Sequence, residues 1–290
     1  MNAMNGRSTV LNPYLSTYDP LVAKHPGRGL DYAPSYWVAS AGAPPEDDGP
    51  IAGDCDVDVV VVGGGSTGMS TAMYLAEDHG IKAVVLEANQ TAWGCSSRSG
   101  GQGQNASGRL SRSQWIDRWG MDTAKRLDTE IRRGFDNFKQ LTKEIDCDAF
   151  DGGHLYMAHK PAKMDYLRNM AQVRNDFFGY QTKILSADEV RERYCDEREH
   201  HGAMLEEEGV GVHPLKLTFG IMRRARALGV KVHPASPVQG LTTINGIHHI
   251  QTPGGVVRAK RVVFCTGGYT WQKMHKLTKN KILPILSNSV

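Results

Sequence analysis

Three glycines and one acid are spaced in a way that suits the binding of a dinucleotide. Gly63, Gly65 and Gly68 form a G-x-G-x-x-G pattern directly after the apolar run 57–62, and Glu87 ends the next apolar run. In this pattern the first glycine permits a tight turn, the second lets a pyrophosphate approach the backbone, and the third lets a helix pack closely on the strand. A carboxylate after the second strand can accept hydrogen bonds from a ribose, and its charge disfavours a 2′-phosphate. The pattern therefore predicts an adenine dinucleotide site that does not favour NADP.

The same turn also fits a second chemical pattern. Residues 64–68 read G-x-S-x-G, the nucleophile elbow of hydrolases, in which Ser66 would be the nucleophile. Several later histidines are available as a base, and no spacing selects one of them. The hydrolase interpretation leaves Gly63 and Glu87 without a role, so dinucleotide binding is the stronger prediction.

A second segment with chemical potential follows the acid. Residues 93–105 are dense in glycine, serine and glutamine, lack a hydrophobic period, and contain a single cation, Arg98. Their backbone N–H groups and hydroxyls suit a cofactor that extends beyond one nucleotide. The alternative is a flexible linker, which has a similar composition.

The elements that must position these residues alternate between strands and helices. Apolar periodicity and capping signals predict a helix that starts at Ser186 and helices over 69–79, 113–145, 161–178 and 214–228. Apolar and β-branched runs predict strands over 57–62, 82–87, 152–158, 202–212, 230–233, 238–244, 248–252, 256–259 and 261–264. The acidic run 206–208 is interpreted as a solvated turn, and 253–255 as a hairpin turn. This alternation is typical of an α/β fold with a parallel sheet.

The composition gives no support to several other classes of function. The 290 residues carry a net charge of +3, from 34 basic and 31 acidic side chains, which gives no reason to expect nucleic acid or an anionic membrane as partner. No apolar run approaches the length of a membrane span. The five cysteines are odd in number and include no C-x-x-C pair, so neither a disulfide framework nor a metal site is indicated. A reducing cytoplasm is the expected location.

Four stretches of the chain resemble the D-amino-acid-oxidase-like family of FAD-dependent oxidoreductases. They are residues 58–68, 84–88, 93–102 and 262–270, and within the family they are most similar to the γ-glutamylputrescine oxidoreductase and glycine/sarcosine oxidase group. Cys265 stands where the family usually has alanine. The resemblance implies FAD as cofactor and an amine or amino acid as substrate. Its C–N bond would be oxidised by hydride transfer to flavin N5, which gives an imine that water hydrolyses.

The resemblance also implies which residues hold the cofactor. They are Gly63, Gly65, Ser66, Thr67 and Gly68 at the pyrophosphate, Glu87 at the adenosine ribose, Ser96, Ser97, Arg98, Gly101 and Gln102 on the ribityl and flavin side, Val238 at the adenine through its backbone, and Thr266 and Gly267 closing over the pyrophosphate.

The fold implied is a Rossmann-like FAD-binding domain with an inserted, incomplete α+β substrate domain. The expected segments are an N-terminal arm over 1–50, the FAD domain over 51–149 and 213–275, the substrate domain over 150–212, and a strand that begins the return to it over 276–290. We expect the arm to pack on the main body through Tyr32, Tyr36 and Trp37.

Members of this family usually continue well beyond the length of this chain. We therefore expect a truncated member that has little or no activity until a C-terminal segment is supplied, either fused or as a separate chain. Two alternatives stay open. The first is a non-catalytic fragment that binds the dinucleotide without turnover, or a subunit completed by another chain. The second is an NAD-dependent enzyme, if residues 93–105 form only a linker.

Overall fold

The computed structural model describes residues 27–270, 274–279 and 281–285, together with 16, 19, 22 and 23. It divides into two compact units, one of Met1–Ser99 with Thr218–Val290 and one of Gly100–Leu217. The elements in chain order are α1 (Tyr36–Ser40), β1 (Cys55–Val62), α2 (Ser66–His79), β2 (Val84–Leu86), β3 (Gln102–Gly103), α3 (Arg112–Glu144), β4 (His154–Met157), α4 (Pro161–Phe178), β5 (Lys183–Leu185), α5 (Ala187–Arg193), β6 (Ala203–Glu206), β7 (Val210–Gly211), α6 (Pro214–Ala227), β8 (Lys231–His233), β9 (Gly240–Ile244), β10 (Ile247–Thr252) and β11 (Gly255–Phe264).

The first unit is built on a six-stranded sheet with the order β8-β2-β1-β11-β10-β9. Strands β8, β2, β1 and β11 are parallel, and β10 and β9 continue the sheet as antiparallel strands. Residues 59–62 of β1 are buried, as expected of a strand covered on both faces. Since the carboxyl ends of parallel strands meet at one edge, the turns after β1, β2 and β11 lie together there.

The hairpins of the first sheet agree in part with the predicted ones. Thr252 pairs with Gly255, and this pairing confirms the predicted hairpin turn at 253–255. The segments 256–259 and 261–264, predicted as two strands, form the single strand β11, because β1 pairs with it on both sides of Lys260, from Val257 to Phe264, while β10 pairs with residues 255–259 on its other edge. Asn245 and Gly246, both with positive φ, form a second hairpin turn, which lies between the predicted strands 238–244 and 248–252.

The second unit is an α+β arrangement. Its three-stranded antiparallel sheet has the order β4-β6-β5, and β3 pairs separately with β7. Helix α4 packs Met164, Leu167 and Ala171 against Met204 of β6, whereas Val190 of α5 packs in the cluster with Leu185, Ala203 and Leu205. Helix α3 is interrupted at Gly120, where φ is 79° and ψ is 164°, so the long predicted helix consists of two pieces.

The acidic run 206–208 is only partly exposed to solvent, although it was predicted to form a solvated turn. Glu206 ends β6 and is buried, with its carboxylate 2.8 Å from the Arg174 guanidinium. Glu207 and Glu208 are exposed. The interpretation as a solvated turn is therefore wrong for Glu206, because a buried arginine on α4 neutralises it.

The unit boundaries fall at other positions than the expected domain boundaries. The second unit begins at Gly100 rather than at residue 150, because α3 packs on α4 and β3 pairs with β7. It ends at Leu217 rather than 212. The assignment of FAD and substrate domains to these segments stays a prediction. In the predicted return strand, residues 282–285 have no strand conformation, and 286–290 lie outside the described residues.

Within the described part of the chain, no helix is both long enough and apolar enough to cross a membrane.

A candidate dinucleotide site at the ends of the parallel strands

The turn after β1 has a conformation that requires glycine at two positions. Gly63 has a φ of +109°, and a Cβ on it would lie 2.5 Å from the Cys265 carbonyl oxygen. A Cβ on Gly68, in the first turns of α2, would collide with the Gly63 carbonyl oxygen. The tight turn and the close approach of α2 to β1 thus have a steric reason in this fold.

The N-terminus of α2 carries the next group of predicted residues. The backbone N–H of Ser66 donates to Ser96 Oγ at 2.9 Å, and the two serine hydroxyls are 3.1 Å apart. A Cβ on Gly65 would lie 2.9 Å from Ser96 Oγ, and Thr67 is exposed. Backbone N–H groups at a helix N-terminus, with the positive end of its dipole, favour an anionic oxygen.

Glu87 links the turns that follow β1 and β2. Its carboxylate accepts hydrogen bonds from Gly64 N at 2.7 Å and from Asn89 N at 2.8 Å. Burial raises the pKa of the Glu87 carboxyl, and the hydrogen bonds from Asn89, Gly64 and Ala88 oppose that rise. The acid therefore lies beside the glycine turn, where the sequence pattern predicts it.

Residues 93–98 form a folded loop. Trp93 is buried, and the Arg98 guanidinium lies 4.4 Å above its ring centroid. Arg98 also donates to the Trp93 carbonyl at 3.2 Å and to Tyr269 Oη at 3.4 Å. The buried Ser97 hydroxyl donates to the Trp93 carbonyl at 3.0 Å. These contacts contradict the flexible-linker alternative for this part of the segment.

The segment after β11 lies at the same edge of the sheet. Cys265 N donates to the Val62 carbonyl at 2.8 Å, which extends the pairing of β11 with β1. Thr266 Oγ1 lies 2.6 Å from Thr270 Oγ1, and Gly267, with φ of +52°, begins a short 3₁₀ turn. Burial raises the pKa of the Cys265 thiol. Val238 lies between β8 and β9, partly buried against the apolar core of the sheet.

Two predicted residues belong to the second unit. A Cβ on Gly101, which has a φ of +70°, would collide with the Val212 carbonyl oxygen, and Gln102 pairs with Gly211 in the β3–β7 ladder. The other predicted residues belong to the first unit. The residues brought together at the strand ends are Gly63, Gly65, Ser66, Thr67, Gly68, Glu87, Ser96, Thr266 and Gly267. Arg98 is connected to the segment after β11 by its hydrogen bond to Tyr269.

The nucleophile-elbow alternative lacks its base. Ser66 Oγ is hydrogen bonded to Ser96, and within residues 27–270 no histidine is bonded to it. A serine nucleophile needs a hydrogen-bonded general base, such as a histidine, to remove its proton. The geometry therefore favours the dinucleotide site.

Asn89 is an organising residue that sequence reasoning missed. Its side-chain amide donates to the Gly27 carbonyl at 3.0 Å and accepts from Gly29 N at 2.9 Å. The available signal was an asparagine two positions after the acid. In the arm, Tyr32 contacts the main body as expected, Trp37 is partly buried, and Tyr36 is 72% exposed.

A second polar group that sequence reasoning missed lies on β4. Tyr156 Oη donates to Gln104 Oε1 at 2.9 Å, and Gln104 Nε2 lies 3.0 Å from His154 Nδ1. Burial lowers the pKa of His154 and raises that of Tyr156 to about 12, so both are neutral at pH 7. The alternation of His154 and Tyr156 along a strand, which places both on one face, was the available signal.

Comparison with known proteins identifies the class. The model of the FAD dependent oxidoreductase family, DAO, matches residues 58–290, and the chain belongs to this family. FAD is the cofactor of the family, and the proteins compared below carry the names of an oxidoreductase, two oxidases and a deaminase of amines or amino acids.

This chain covers only part of the length of the particular relatives that it matches. The chain is 32% identical to gamma-glutamylputrescine oxidoreductase of Escherichia coli over 238 residues, which is 78% of this chain and 53% of that protein. It is 26% identical to sarcosine oxidase subunit beta of Arthrobacter sp over 226 residues, 73% of this chain and 51% of the relative. The chain thus spans about half the length of these relatives.

Solved structures share the fold. Glycine oxidase from Geobacillus kaustophilus superposes with a TM-score of 0.63 at 21% identity, covering 74% of this chain and 56% of that one. L-amino acid deaminase from Proteus vulgaris superposes with a TM-score of 0.65 at 22% identity, covering 81% and 53%. This likeness confirms the predicted α/β fold with a parallel sheet.

Proposed function

We propose that the first unit of this chain binds FAD at the strand-end site. The observation that carries the proposal is the juxtaposition of the glycine turn, the N-terminus of α2 and the Glu87 carboxylate. Gly65 would admit the pyrophosphate to the backbone of Ser66, and Glu87 would accept hydrogen bonds from the adenosine ribose. The loop 93–98 would face the ribityl and flavin side, and Val238 the adenine.

The residues present fit this cofactor. A Cβ at Gly65 would lie only 2.9 Å from Ser96 Oγ, the hydroxyl that accepts the Ser66 N–H, and a phosphate oxygen that replaced this hydroxyl would accept the same N–H at the helix N-terminus. Arg98, held over Trp93, supplies a fixed cation that can pair with a phosphate or polarise a flavin. When bound, FAD supplies a hydride acceptor, and the protein orients it and tunes its electronics.

We propose that the substrate is an amine or amino acid, oxidised at its C–N bond. The names of the relatives support this class: γ-glutamylputrescine and sarcosine are amines with carboxylates, and glycine is an amino acid. A cytoplasmic location, inferred from the odd number of cysteines, stays a prediction.

The test of the cofactor site is a titration of purified chain with FAD. Gly65→Val places a branched side chain where the pyrophosphate is proposed to approach, and it should abolish or sharply weaken binding. Gly134→Val is the matched control, because Gly134 lies exposed in α3 and a Cβ there meets nothing within 4 Å. Equal FAD affinity in the Gly65 and Gly134 variants would show that the site is wrongly assigned.

A second candidate function is that of an FAD-binding subunit completed by another polypeptide. The observation that favours it is that the matched relatives are about twice as long as the matched region. Flavin bleaching by a panel of amines and amino acids would then require a polypeptide that corresponds to the uncovered part of the Escherichia coli relative. Rapid bleaching of the FAD-loaded chain by itself would contradict the subunit function.

A further inference from the structure

We propose that residues 27–35 act as a clamp that sets the conformation of the cofactor loop, residues 89–98, with Tyr32 and Ser35 as positioning residues. The inference rests on the proposed function, in which this loop faces the flavin side of FAD. The family model begins at residue 58, so the clamp lies outside it. The clamp contacts the loop at its start, at its middle and near its end.

The first contact lies at the start of the loop. The Asn89 amide holds the clamp backbone through Gly27 O and Gly29 N, and Asn89 is 8% exposed. The backbone N–H of the same residue donates to Glu87. The clamp therefore reaches the proposed ribose acceptor through one intervening residue.

The second contact lies at the middle of the loop. Tyr32 Oη donates to the Thr91 carbonyl at 2.6 Å, and Trp93 Nε1 donates to the Asp31 carbonyl at 2.9 Å. A Cβ on Gly27 would collide with the Trp93 ring, so the clamp backbone lies directly against the indole. Burial is the main cause, and the charge of Glu87 a smaller one, of a raised pKa at Tyr32. The Tyr32 hydroxyl therefore keeps its proton and stays a donor at neutral pH.

The third contact lies near the end of the loop. Ser35 Oγ donates to the Ser97 carbonyl at 3.2 Å, next to Arg98. The Arg98 guanidinium stacks on Trp93, the residue that Asp31 holds. The position of the fixed cation thus depends on two clamp contacts.

These contacts predict a selective effect on ligand binding. If the loop occupies its binding conformation only part of the time, the apparent affinity for the ligand falls in proportion to the fraction of molecules in that conformation. FAD would contact both the glycine turn and the loop, whereas ADP would depend mainly on the turn and on Glu87. Loss of a clamp contact should therefore weaken FAD more than ADP.

The experiment uses the full chain with Tyr32→Phe, which removes only the hydroxyl. We expect FAD affinity to fall about fivefold, the usual size of one net hydrogen bond, with ADP affinity within about twofold of the parent chain. The visible spectrum of bound flavin should shift as well. Ser35→Ala should act in the same direction. The control is Gln90→Ala, which removes only an exposed 3.5 Å contact to Asp31 between the same segments.

Hydrogen exchange measures the loop without any cofactor. In Tyr32→Phe the amides of residues 91–97 should exchange faster, while those of β2 stay unchanged. Unchanged exchange in the loop, or equal losses of FAD and ADP affinity, would overturn the clamp. If the parent chain fails to bind FAD, the proposed function fails, and the exchange measurement still decides whether the clamp orders the loop.

Discussion

Glu87 shows how one side chain at the strand ends can have both a structural and a ligand-binding role. Its carboxylate accepts backbone N–H bonds from Gly64 and Asn89, and so joins the glycine turn to the loop that follows β2. A carboxylate has room for further donors, because its two oxygens offer about four lone-pair sites. Ribose hydroxyls can therefore be added without breaking the existing bonds.

Reversal of the charge at residue 87 should reduce FAD affinity more than tenfold. Glu87→Arg removes a charged acceptor, and hydrogen bonds to charged groups are worth about 1.5–3 kcal/mol. The measurement is isothermal titration with FAD. Asp117→Arg, an exposed charge reversal on α3, is the control and should leave the affinity unchanged.

The protonation of Glu87 should also make FAD binding pH dependent. Burial raises the pKa of this carboxyl above its ordinary value of 4.5, so acidification neutralises it at a higher pH than an exposed glutamate. FAD affinity should fall as the pH drops through this raised pKa, and Glu87→Gln should remove the dependence. Parallel pH profiles of parent and Glu87→Gln would contradict the assignment of Glu87 to the ribose.

Arg98 should act on the flavin end of the cofactor. Arg98→Ala removes the cation held by Trp93 and Tyr269, and it should shift the spectrum or reduction potential of bound flavin while ADP affinity stays nearly unchanged. Arg109→Ala, at an exposed position, is the control. Loss of ADP binding with an unaltered flavin spectrum would show that Arg98 serves the adenine end instead.

At the scale of elements, the edge strand β8 is protected by a segment that precedes β1. Asp48 N donates to the Val232 carbonyl, and Asp48 Oδ2 accepts from Val232 N at 2.9 Å. Lys231 and Arg226 place their charges beside the same carboxylate. The segment thus covers part of a strand edge that would otherwise expose unpaired backbone groups.

Asp48→Asn should lower the free energy of unfolding by about 1–2 kcal/mol at neutral pH. Burial by itself would raise the pKa of Asp48, but the Val232 and Lys231 hydrogen bonds and the Arg226 charge outweigh it and hold the pKa below 3.8. An acid with a lowered pKa stabilises the fold above its unfolded pKa and loses this effect as the pH falls. The difference in unfolding free energy between parent and variant should therefore begin to shrink near pH 4 and vanish only below the lowered pKa of Asp48. Asp47→Asn, at an exposed neighbouring position, should change little; a pH-independent difference for Asp48→Asn would contradict this account.

At the scale of the whole molecule, the proposed ligand site and the buried ion pairs belong to different units. The glycine turn and Glu87 belong to the first unit, whereas Arg112, Asp128 and the Arg174–Glu206 pair belong to the second. Removal of one partner from a buried pair leaves the other charge uncompensated, which is strongly destabilising.

Glu206→Gln should therefore lower the free energy of unfolding by about 3 kcal/mol without changing ADP affinity in the folded chain. The measurements are denaturant unfolding and an ADP titration of the same preparation. Glu207→Gln, on the exposed neighbour, should be close to neutral. Equal stability of the two variants would show that the Arg174 contact contributes nothing.

Local patterns in the sequence were sufficient for the strand–turn–helix unit around Gly63, for α4 over 161–178, and for the hairpin turn after Thr252. Each depends on hydrophobic period, capping or turn chemistry within a few residues. The family resemblance likewise came from short contiguous stretches, and the family match confirmed it.

Only the tertiary structure decided the partners of residues that lie far apart in the chain. Asn89 holds Gly27 across a separation of 62 residues, Glu206 is buried because α4 places Arg174 against it, and two predicted strands merge into β11 because β1 pairs with it continuously from Val257 to Phe264. No local period encodes these choices, since a polar side chain has the same sequence signal whether it meets solvent or a partner. Which of the two it meets is decided when the sheet, the helices and the clamp pack together.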